Sequence, residues 1–299
     1  MDQLTRLFGH AADSIMGSEA VIFTAGAGMG VDSGLPDFRG EHGFWKAYPP
    51  LQKLGLDFMA SANGDLFSTD PHLAWAFYGH RYNMYANTKP HEGYAIQRAI
   101  ANRRPHQVFT SNVDDAYVTA GFDEKRCVDC HGNIFYWQST ENWKGRIWEA
   151  RPQDGCPVSV DLETFKALDP LPHGADGSLA RPNILMFGDS VWNSARTGAQ
   201  EHRMNNWLQM HCGSKITIIE CGAGTAIPSV RMFGERIRRA LGATLIRINP
   251  RESQHGDICI PMGAKAAMLG IDAGLRERGY YHAPSYSDYS PTSLTRPSD

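Results

Sequence analysis

Short apolar runs rich in β-branched residues alternate along the chain with longer segments of helical spacing. Runs of this kind, bounded by turn residues, predict buried strands, and their alternation with helices is typical of a parallel sheet. We therefore predict an α/β fold, a Rossmann-like parallel sheet with helices on both faces. A helix is predicted over 226–241, where arginines near its end suit the helix dipole. The predicted strands lie at residues 20–26, 106–112, 183–188, 215–224 and 243–249.

Two regions interrupt this alternation. Residues 41–85 are rich in aromatics and have helical spacing, which predicts a helical module, whereas residues 133–180 are irregular and predict a small insert. The polar segment 276–299 predicts a flexible tail. We expect one catalytic domain over 1–275, with a core formed by residues 1–40, 86–132 and 181–275.

The composition excludes several classes of protein. The formal net charge is −3 over 299 residues, so we expect no nucleic-acid partner and no membrane partner. No apolar run approaches the roughly 20 residues of a membrane span. The N-terminal segment lacks a basic start followed by an apolar core, so we expect a cytoplasmic protein. Its six cysteines should then stay unpaired unless a metal holds them.

A glycine turn follows the first predicted strand. Gly26, Ala27 and Gly28 would let a phosphate approach the backbone, because two of them carry no Cβ. Val31 stands where a dinucleotide fold has its third glycine, so a plain strand-to-helix turn is an alternative interpretation. The sequel "PDFR" favours a site, since two opposite charges around an aromatic residue have no obvious packing role in a loop.

The stretch "TAGAGMGVDSGLPDFRG" resembles the signature of the sirtuins, the NAD-dependent protein deacylases. Five further segments resemble motifs of that family and occur in its order, so that the resemblance covers roughly residues 21–270. These segments are "TSNVDDAYVTAGF", "CHGNI", "ARPNILMFGD", "GAGTAIPSV" and "RINPRE".

The resemblance implies a reaction and its catalytic residues. In the family, NAD is a co-substrate whose nicotinamide leaves, and the acyl group of a protein lysine is transferred to ADP-ribose. The base on a ribose hydroxyl would be His131, a residue type suited to it by a pKa of about 6.5. Asn112, the second catalytic residue, and Asp114 would lie around the nicotinamide ribose and carboxamide, where an amide can both donate and accept.

Further residues follow from the same resemblance. Asp37, Phe38 and Arg39 would cap the reacting end of the cofactor, with Phe38 shielding it from water. The remaining cofactor-binding residues would be Gly26, Ala27, Gly28, Ser111, Gly224, Thr225 and Asn249, the last three beside the adenosine half. Phe187 and Gly188 would contact the substrate, which is an acylated lysine of a protein.

The chain departs from the family pattern at three places. Gly30 replaces a serine, and Ser111 replaces a glutamine. The family's two C-x-x-C pairs, which hold a structural zinc, are also not found after His131. Only Cys127 and Cys130 form such a pair, just before that histidine, and the insert contains Cys156 alone.

Zinc needs four ligands at plausible spacing. A set of Cys127, Cys130, Cys156 and His173 is one combination, but its spacing does not suit a tetrahedral site. The string "CVDCH" also fits a haem-attachment pattern, which the absence of an export signal disfavours. We expect no zinc, and buried thiols on a short strand leading to the active site.

One pair of residues bears on acyl preference. Tyr78 and Arg81 in "AWAFYGHRYNMY" resemble the Y-x-x-R of sirtuins that remove succinyl or malonyl groups. An arginine pairs with a distal carboxylate, and a tyrosine hydroxyl adds a contact. Residues three apart are also ordinary neighbours on a helix surface, which is the alternative.

The sequence therefore predicts an NAD-dependent protein-lysine deacylase, of deacetylase or desuccinylase type, that forms nicotinamide and O-acyl-ADP-ribose. The departures make an NAD hydrolase or ADP-ribosyltransferase of the same fold the alternative. An inactive NAD-sensing module is the third hypothesis, disfavoured because Arg39, Asn112, Asp114 and His131 are retained.

Overall fold

The computed structural model describes residues 2–36, 40–141, 144–151 and 158–281. Within these ranges there are eleven strands and eleven α-helices. The strands are β1 (Ala20–Ala25), β2 (His106–Thr110), β3 (Cys127–Asp129), β4 (Gly132–Ser139), β5 (Ile147–Glu149), β6 (Val160–Asp161), β7 (Lys166–Ala167), β8 (Ala180–Ile184), β9 (Ile216–Cys221), β10 (Thr244–Ile248) and β11 (Ile258–Ile260). The helices are α1 (Gln3–Gly17), α2 (Gly40–Ala47), α3 (Pro49–Lys53), α4 (Phe58–Ser61), α5 (Leu66–Thr69), α6 (Pro71–Ala86), α7 (Glu92–Ala101), α8 (Ala116–Thr119), α9 (Ala195–Met210), α10 (Ser229–Leu241) and α11 (Ala264–Glu277).

Six strands form the central sheet, in the order β11-β10-β9-β1-β2-β3. Every neighbouring pair is parallel. All six residues of β1 are buried, as expected of a strand that is covered on both faces. The predicted α/β fold is confirmed.

Helices cover both faces of this sheet because side chains alternate along each strand. On one face, Val21 and Phe23 pack against α1, α7 and α11. On the other, Ile22 packs against α9 and α10. Phe109 stacks on Phe233 of α10, with ring centroids 3.9 Å apart. No helix in the described part of the chain is long and apolar enough to cross a bilayer.

The remaining elements form a second core. Strand β4 pairs antiparallel with β5 and β8, and β6 pairs with β7. Helices α2 to α6 pack against these strands around a shared cluster that includes Phe44, Trp75, Tyr82, Phe135 and Trp137. Helix α6 is buried on most of its sides, and its buried residues include the charged Arg81.

Two predicted elements differ from the structure. The apolar run 183–188 was expected in the central sheet, but the strand is β8, which pairs antiparallel with β4. That prediction was wrong because an apolar run does not specify its partner. The helix predicted over 226–241 begins at Ser229, after Pro228 at the N-cap. Helix α11 continues to Glu277, two residues beyond the expected domain end, and Tyr281 after it is buried.

Candidate active site

The carboxyl ends of five parallel strands bring most of the predicted site residues to one edge of the sheet. Strand β1 lies between β9 and β2, and the chain turns in opposite directions on its two sides. Such a switch point is where open α/β sheets bind ligands. The segments that leave this edge are Gly26–Gly28 after β1, Ser111–Asp114 after β2, Cys130–His131 after β3, Gly222–Thr225 after β9 and Asn249 after β10.

The glycines after β1 interlock with the loop after β9. A Cβ on Gly26 would lie 2.8 Å from Ala223 Cα, and one on Gly28 would lie 2.8 Å from Gly222 Cα. Gly222 has φ +64°, and its Cβ would lie 2.2 Å from Met29 N. The backbone N–H of Gly28 donates to Gly222 O at 3.1 Å. These glycines are therefore required for the close packing of two loops, a role that the sequence did not indicate.

Gly30 occupies the position where the family signature has serine. A Cβ there would lie 2.8 Å from Leu35 Cδ1. The backbone N–H of Leu35 also donates to Gly30 O at 3.2 Å. Leu35 thus fills the space that the serine side chain would need.

Asn112 is fixed to the loop after β1. Its side-chain Nδ2 donates to Gly26 O at 3.1 Å, and its backbone N–H donates to Thr110 Oγ1 at 3.0 Å. The neighbouring Ser111 N–H donates to Ala25 O at 3.1 Å. The loops after β1 and β2 therefore have a fixed mutual position, which holds the Asn112 amide half-buried at the edge of the sheet.

Asp114 and Asp115 are adjacent carboxylates with different surroundings. Asp114 accepts from Ala116 N at 3.0 Å, and burial of its carboxyl raises its pKa to about 6. Asp115, in the left-handed conformation at φ 61°, is ion-paired with Arg151 and accepts from Asn133 Nδ2 at 2.8 Å. Because Asp115 is engaged by Arg151, Asp114 is the carboxylate of the two that can serve the site. Its protonation state can change near neutral pH.

His131 lies half-buried at the end of β3. Its Nε2 is 3.0 Å from Ser229 Oγ, at the start of α10. Burial lowers the pKa of the imidazole, so the ring is neutral at pH 7 and able to accept a proton. The next residue, Gly132, has φ +81°, and a Cβ there would lie 2.0 Å from Asn183 O.

Helix α9 anchors the strand that carries His131. The Asp129 N–H donates to Gln200 Oε1 at 3.1 Å, and Asp129 O accepts from Thr197 Oγ1 at 3.1 Å. The Asp129 carboxylate pairs with Arg196 at 2.8 Å. The sequence did not predict roles for these residues or for Ser229. Nothing in the local sequence of "CVDCH" or of α9 indicates that the two segments contact each other.

The segment with Phe187 and Gly188 is shaped by a buried ion pair. Arg181 and Asp189 pair with both side chains fully buried. Asp189 also accepts from the N–H groups of Met186 and Val191, at 3.2 and 3.1 Å. Phe187 N donates to Ala62 O at 2.9 Å, which ties the segment to the helical module.

Tyr78 and Arg81 lie inside the second core. They are 1% and 7% exposed, respectively, so the pair does not face solvent. The Arg81 guanidinium donates to Tyr85 Oη through Nε at 3.0 Å and Nη2 at 2.8 Å. It also lies 5.3 to 6.0 Å from the ring centroids of Phe58, Phe77, Tyr78 and Tyr85. Burial raises the pKa of Tyr85, and the charge of Asp114 raises it further, while Arg81 lowers it.

Residues predicted near the adenosine half form their own network. Thr225 donates through N and Oγ1 to the Glu252 carboxylate, at 2.9 and 3.1 Å. Asn249 is 1% exposed, and its Nδ2 donates to Ala223 O at 2.9 Å. Its Oδ1 accepts from Arg251 N and Glu252 N. Asn249 therefore shapes the loop after β9, and Thr225 is the exposed group.

Some predicted residues lie outside the described part of the chain. These are Asp37, Phe38 and Arg39, and, among the thiols considered for zinc, Cys156. Among the described residues there is no group of three or more His, Cys, Asp or Glu side chains that could hold a metal. Burial raises the pKa of the Cys127 and Cys130 thiols, and His173 Nδ1 lies 2.8 Å from Leu171 O.

Comparison with models of known protein families gives a match that includes most of the segments at this edge of the sheet. The family model described as "Sir2 family" matches residues 26–220. This range runs from the first glycine of the turn to the last part of β9.

Individual proteins are also similar to the chain. An "NAD-dependent protein deacylase" of Pyrococcus abyssi is 33% identical over 236 residues, which cover 78% of this chain and 82% of that protein. A protein of the same description from Thermococcus kodakarensis is 31% identical over 193 residues, which cover 62% of this chain and 66% of that protein. Among solved structures, a Sir2 homolog in complex with NAD superimposes with a TM-score of 0.68 and 22% identity, over 93% of this chain and 95% of that one. At this identity the structural likeness shows the fold.

Proposed function

Because this chain belongs to the Sir2 family, we propose that it is an NAD-dependent protein deacylase. It removes acyl groups from lysines of a protein substrate and consumes NAD, with nicotinamide and O-acyl-ADP-ribose as products. The observation that carries this function is that Asn112 and Asp114 after β2 and His131 after β3 lie at the carboxyl edge of the sheet that also carries the interlocked glycine loops.

The chemistry of the edge suits NAD. Ribose hydroxyls and a carboxamide need neutral donors and acceptors, and the edge offers the side chains of Ser111, Asn112, Thr225 and Ser229. Asp114 adds a single carboxylate whose raised pKa lets it accept or donate. When bound, NAD supplies an activated bond between nicotinamide and ribose.

His131 is the general base in this proposal. The imidazole must be neutral to take a proton from a ribose hydroxyl, and burial favours that state because it penalises the charged form. In the free protein Ser229 Oγ is within hydrogen-bonding distance of Nε2. Nε2 therefore has a hydroxyl partner before the substrate binds. A ribose hydroxyl of NAD would take the place of the Ser229 hydroxyl, so that the nitrogen would keep the same kind of partner.

Asn112 and Asp114 are proposed to bind the nicotinamide end. Asn112 is held by Gly26 O, so its amide does not need to be ordered when the co-substrate binds. Gly224 and Thr225 are proposed to contact the adenosine half. Asp37, Phe38 and Arg39 stay predictions for the cap over the reacting end.

We further propose a preference for acyl groups that end in a carboxylate. Arg81 is a buried cation whose described partners include a neutral tyrosine hydroxyl and aromatic rings. A carboxylate brought beside it would form a charge-assisted pair in a dry environment, where such pairs are strong. The competing hypothesis is that Arg81 only holds Tyr85 in place.

The partner of the enzyme is a protein with an acylated lysine. The formal net charge of −3 gives no attraction to phosphate backbones or anionic lipids. We therefore propose that nucleic acid and membranes are not partners.

The test is the release of nicotinamide from NAD with and without an acylated peptide. Release only with the peptide is the expected result. Release without peptide at the same rate indicates an NAD hydrolase or an ADP-ribosyltransferase, and no release under either condition indicates an NAD-sensing module. The family relationship does not favour these two alternatives.

A further inference from the structure

A buried histidine outside the reacting groups holds the loop after β1. His91 is the N-cap of α7 and is 6% exposed. Its Nδ1 accepts from Gly93 N at 3.0 Å, and its Nε2 lies 2.9 Å from Met29 O. Its backbone N–H donates to Ser33 Oγ at 3.0 Å. One residue thus bonds to its own helix and to two points of the loop.

The partners determine which ring nitrogen carries the proton. Gly93 N–H can only donate, so Nδ1 must be the acceptor, and a carbonyl can only accept, so Nε2 must be the donor. Both bonds exist together only in the neutral ring with its proton on Nε2. Protonation of Nδ1 would set an N–H against the Gly93 N–H and remove that bond, whereas Nε2–H would still donate to Met29 O.

Met29 and Ser33 belong to the loop that packs on Gly222. They lie at the ends of the two 3-10 turns Ala27–Met29 and Val31–Ser33. A Cβ on Gly222 would clash with the backbone of Met29. A further tie comes from α11, where Lys265 N donates to Asp32 Oδ2 at 2.8 Å.

We propose that His91 is a positioning residue, which holds the cofactor loop against α7 through Met29 and Ser33 and thereby supports NAD binding. This inference rests on the proposed function, because it takes the loop after β1 to be part of the NAD site. His91 itself is not proposed to touch the reacting atoms.

The charges around the ring come from three elements. Asp32 of the second 3-10 turn and Glu92 of α7 favour the protonated ring, and Lys265 of α11 opposes it. Burial is the largest influence, and it lowers the pKa of His91 below its ordinary value. The neutral ring is therefore retained through neutral pH.

Two variants separate the contributions of the two ring nitrogens of His91. His91→Gln presents an amide N–H near the position of Nε2 and loses the acceptor that caps α7. His91→Asn presents an acceptor for the cap, a role asparagine fills well, and does not reach Met29. Both are to be compared with His106→Gln. His106 is a half-buried histidine, also with a lowered pKa, that lies at the opposite edge of the sheet.

The measurement is the equilibrium dissociation constant of NAD without peptide, at about pH 7, where the ring is neutral. We expect His91→Asn to weaken NAD binding about five- to tenfold, the effect of one lost hydrogen bond. His91→Gln, which keeps a donor for Met29 O, should bind NAD as wild type does, and so should His106→Gln.

Hydrogen exchange gives a second readout, which does not depend on NAD. The amides of Gly30, Ser33 and Gly34 are bonded within the loop. Their protection should fall in His91→Asn relative to wild type and to His91→Gln, while that of β10 stays constant. Unchanged protection of the loop in His91→Asn overturns the proposal, as does wild-type NAD affinity in that folded variant. If wild type itself binds no NAD, the proposed function fails, whereas the tether is still decided by exchange.

Discussion

His131 Nε2 and Ser229 Oγ lie 3.0 Å apart, and they join the end of β3 to the start of α10. The contact joins the segment after β3, an outer strand of the sheet, to helix α10, which follows the loop after β9. It holds the imidazole at the edge, with its reactive nitrogen next to a hydroxyl.

The first prediction is that the imidazole is required and the serine is not. His131→Ala should lose about a hundredfold or more in deacylation, as expected for a lost general base, with NAD binding nearly unchanged. Ser229→Ala should cost less than about fivefold, because it removes one neutral hydrogen bond. The measurements are initial rates with an acylated peptide and NAD affinity. Near-normal turnover of His131→Ala would contradict the assignment of the base.

A second prediction concerns pH. Burial lowers the pKa of His131, so the base stays neutral as the pH falls past its ordinary value of about 6.5. Deacylation should therefore decline only at more acid pH, with a limb in kcat/KM whose midpoint lies below that value. The pH profile of wild type gives the midpoint, and the limb should be missing from the residual activity of His131→Ala. A midpoint above the ordinary value would mean that the ring is not shielded from water.

The third prediction tests the acyl group. Wild type should have a higher kcat/KM for a succinyl-lysine peptide than for the acetyl-lysine peptide of the same sequence. Arg81→Met keeps much of the length and removes the charge. It should reduce kcat/KM for succinyl-lysine by roughly tenfold to a hundredfold, the usual range for a charge-assisted hydrogen bond, and spare acetyl-lysine. Tyr85→Phe is the matched control, because it removes the hydroxyl that Arg81 contacts and keeps the charge. Equal losses on both peptides in Arg81→Met would support a structural role.

The fourth prediction concerns the buried pair Arg181–Asp189. Asp189→Asn leaves a fully buried guanidinium without its counter-charge, which should destabilise the protein by about 3–5 kcal/mol. Urea unfolding measures the change. Asp13→Asn, at the exposed pair with Arg278, is the control and should show no measurable effect. Since Asp189 also bonds Met186 N and Val191 N, the double variant Arg181→Met/Asp189→Asn should recover only part of the loss.

The fifth prediction is that the purified protein carries no stoichiometric zinc and folds without it. The Cys127 thiol is buried, and its Sγ lies 3.5 Å from Asp123 O, where it acts as a donor. Elemental analysis should find much less than one zinc per chain, and a chelator should leave the melting temperature unchanged. About one zinc per chain, with unfolding on chelation, would contradict this prediction.

The sequence was most informative where a local pattern has a single structural outcome. Buried strands followed by glycine turns predicted β1 and β9, and ordered motifs predicted the family and its NAD chemistry. Both are confirmed. The roles of individual site residues stay predictions, although the fold places Asn112, Asp114 and His131 at one edge.

Other features depend on contacts between residues that are far apart in sequence. Ser229, Asp129 and His91 act through partners on other elements, and nothing in their local sequence names those partners. The same holds for β8, which has an apolar pattern suited to either sheet. Gly222 lay only within the predicted strand 215–224 and the segment "GAGTAIPSV", and its role was not predicted because the atom that excludes a side chain there belongs to Met29.

The position of β1 has a consequence for biosynthesis. This strand is translated before β2 to β8, and one of its two neighbours is β9 (Ile216–Cys221), which follows all of them. Until β9 is made, one edge of a strand whose six residues are all buried in the folded protein has no native partner, and Gly222 is not present to receive the loop after β1. A nascent chain therefore cannot bind NAD. Since a ligand stabilises only the state that binds it, the co-substrate can protect the finished protein but cannot assist the ribosome-bound one, in which that edge is open to wrong pairing.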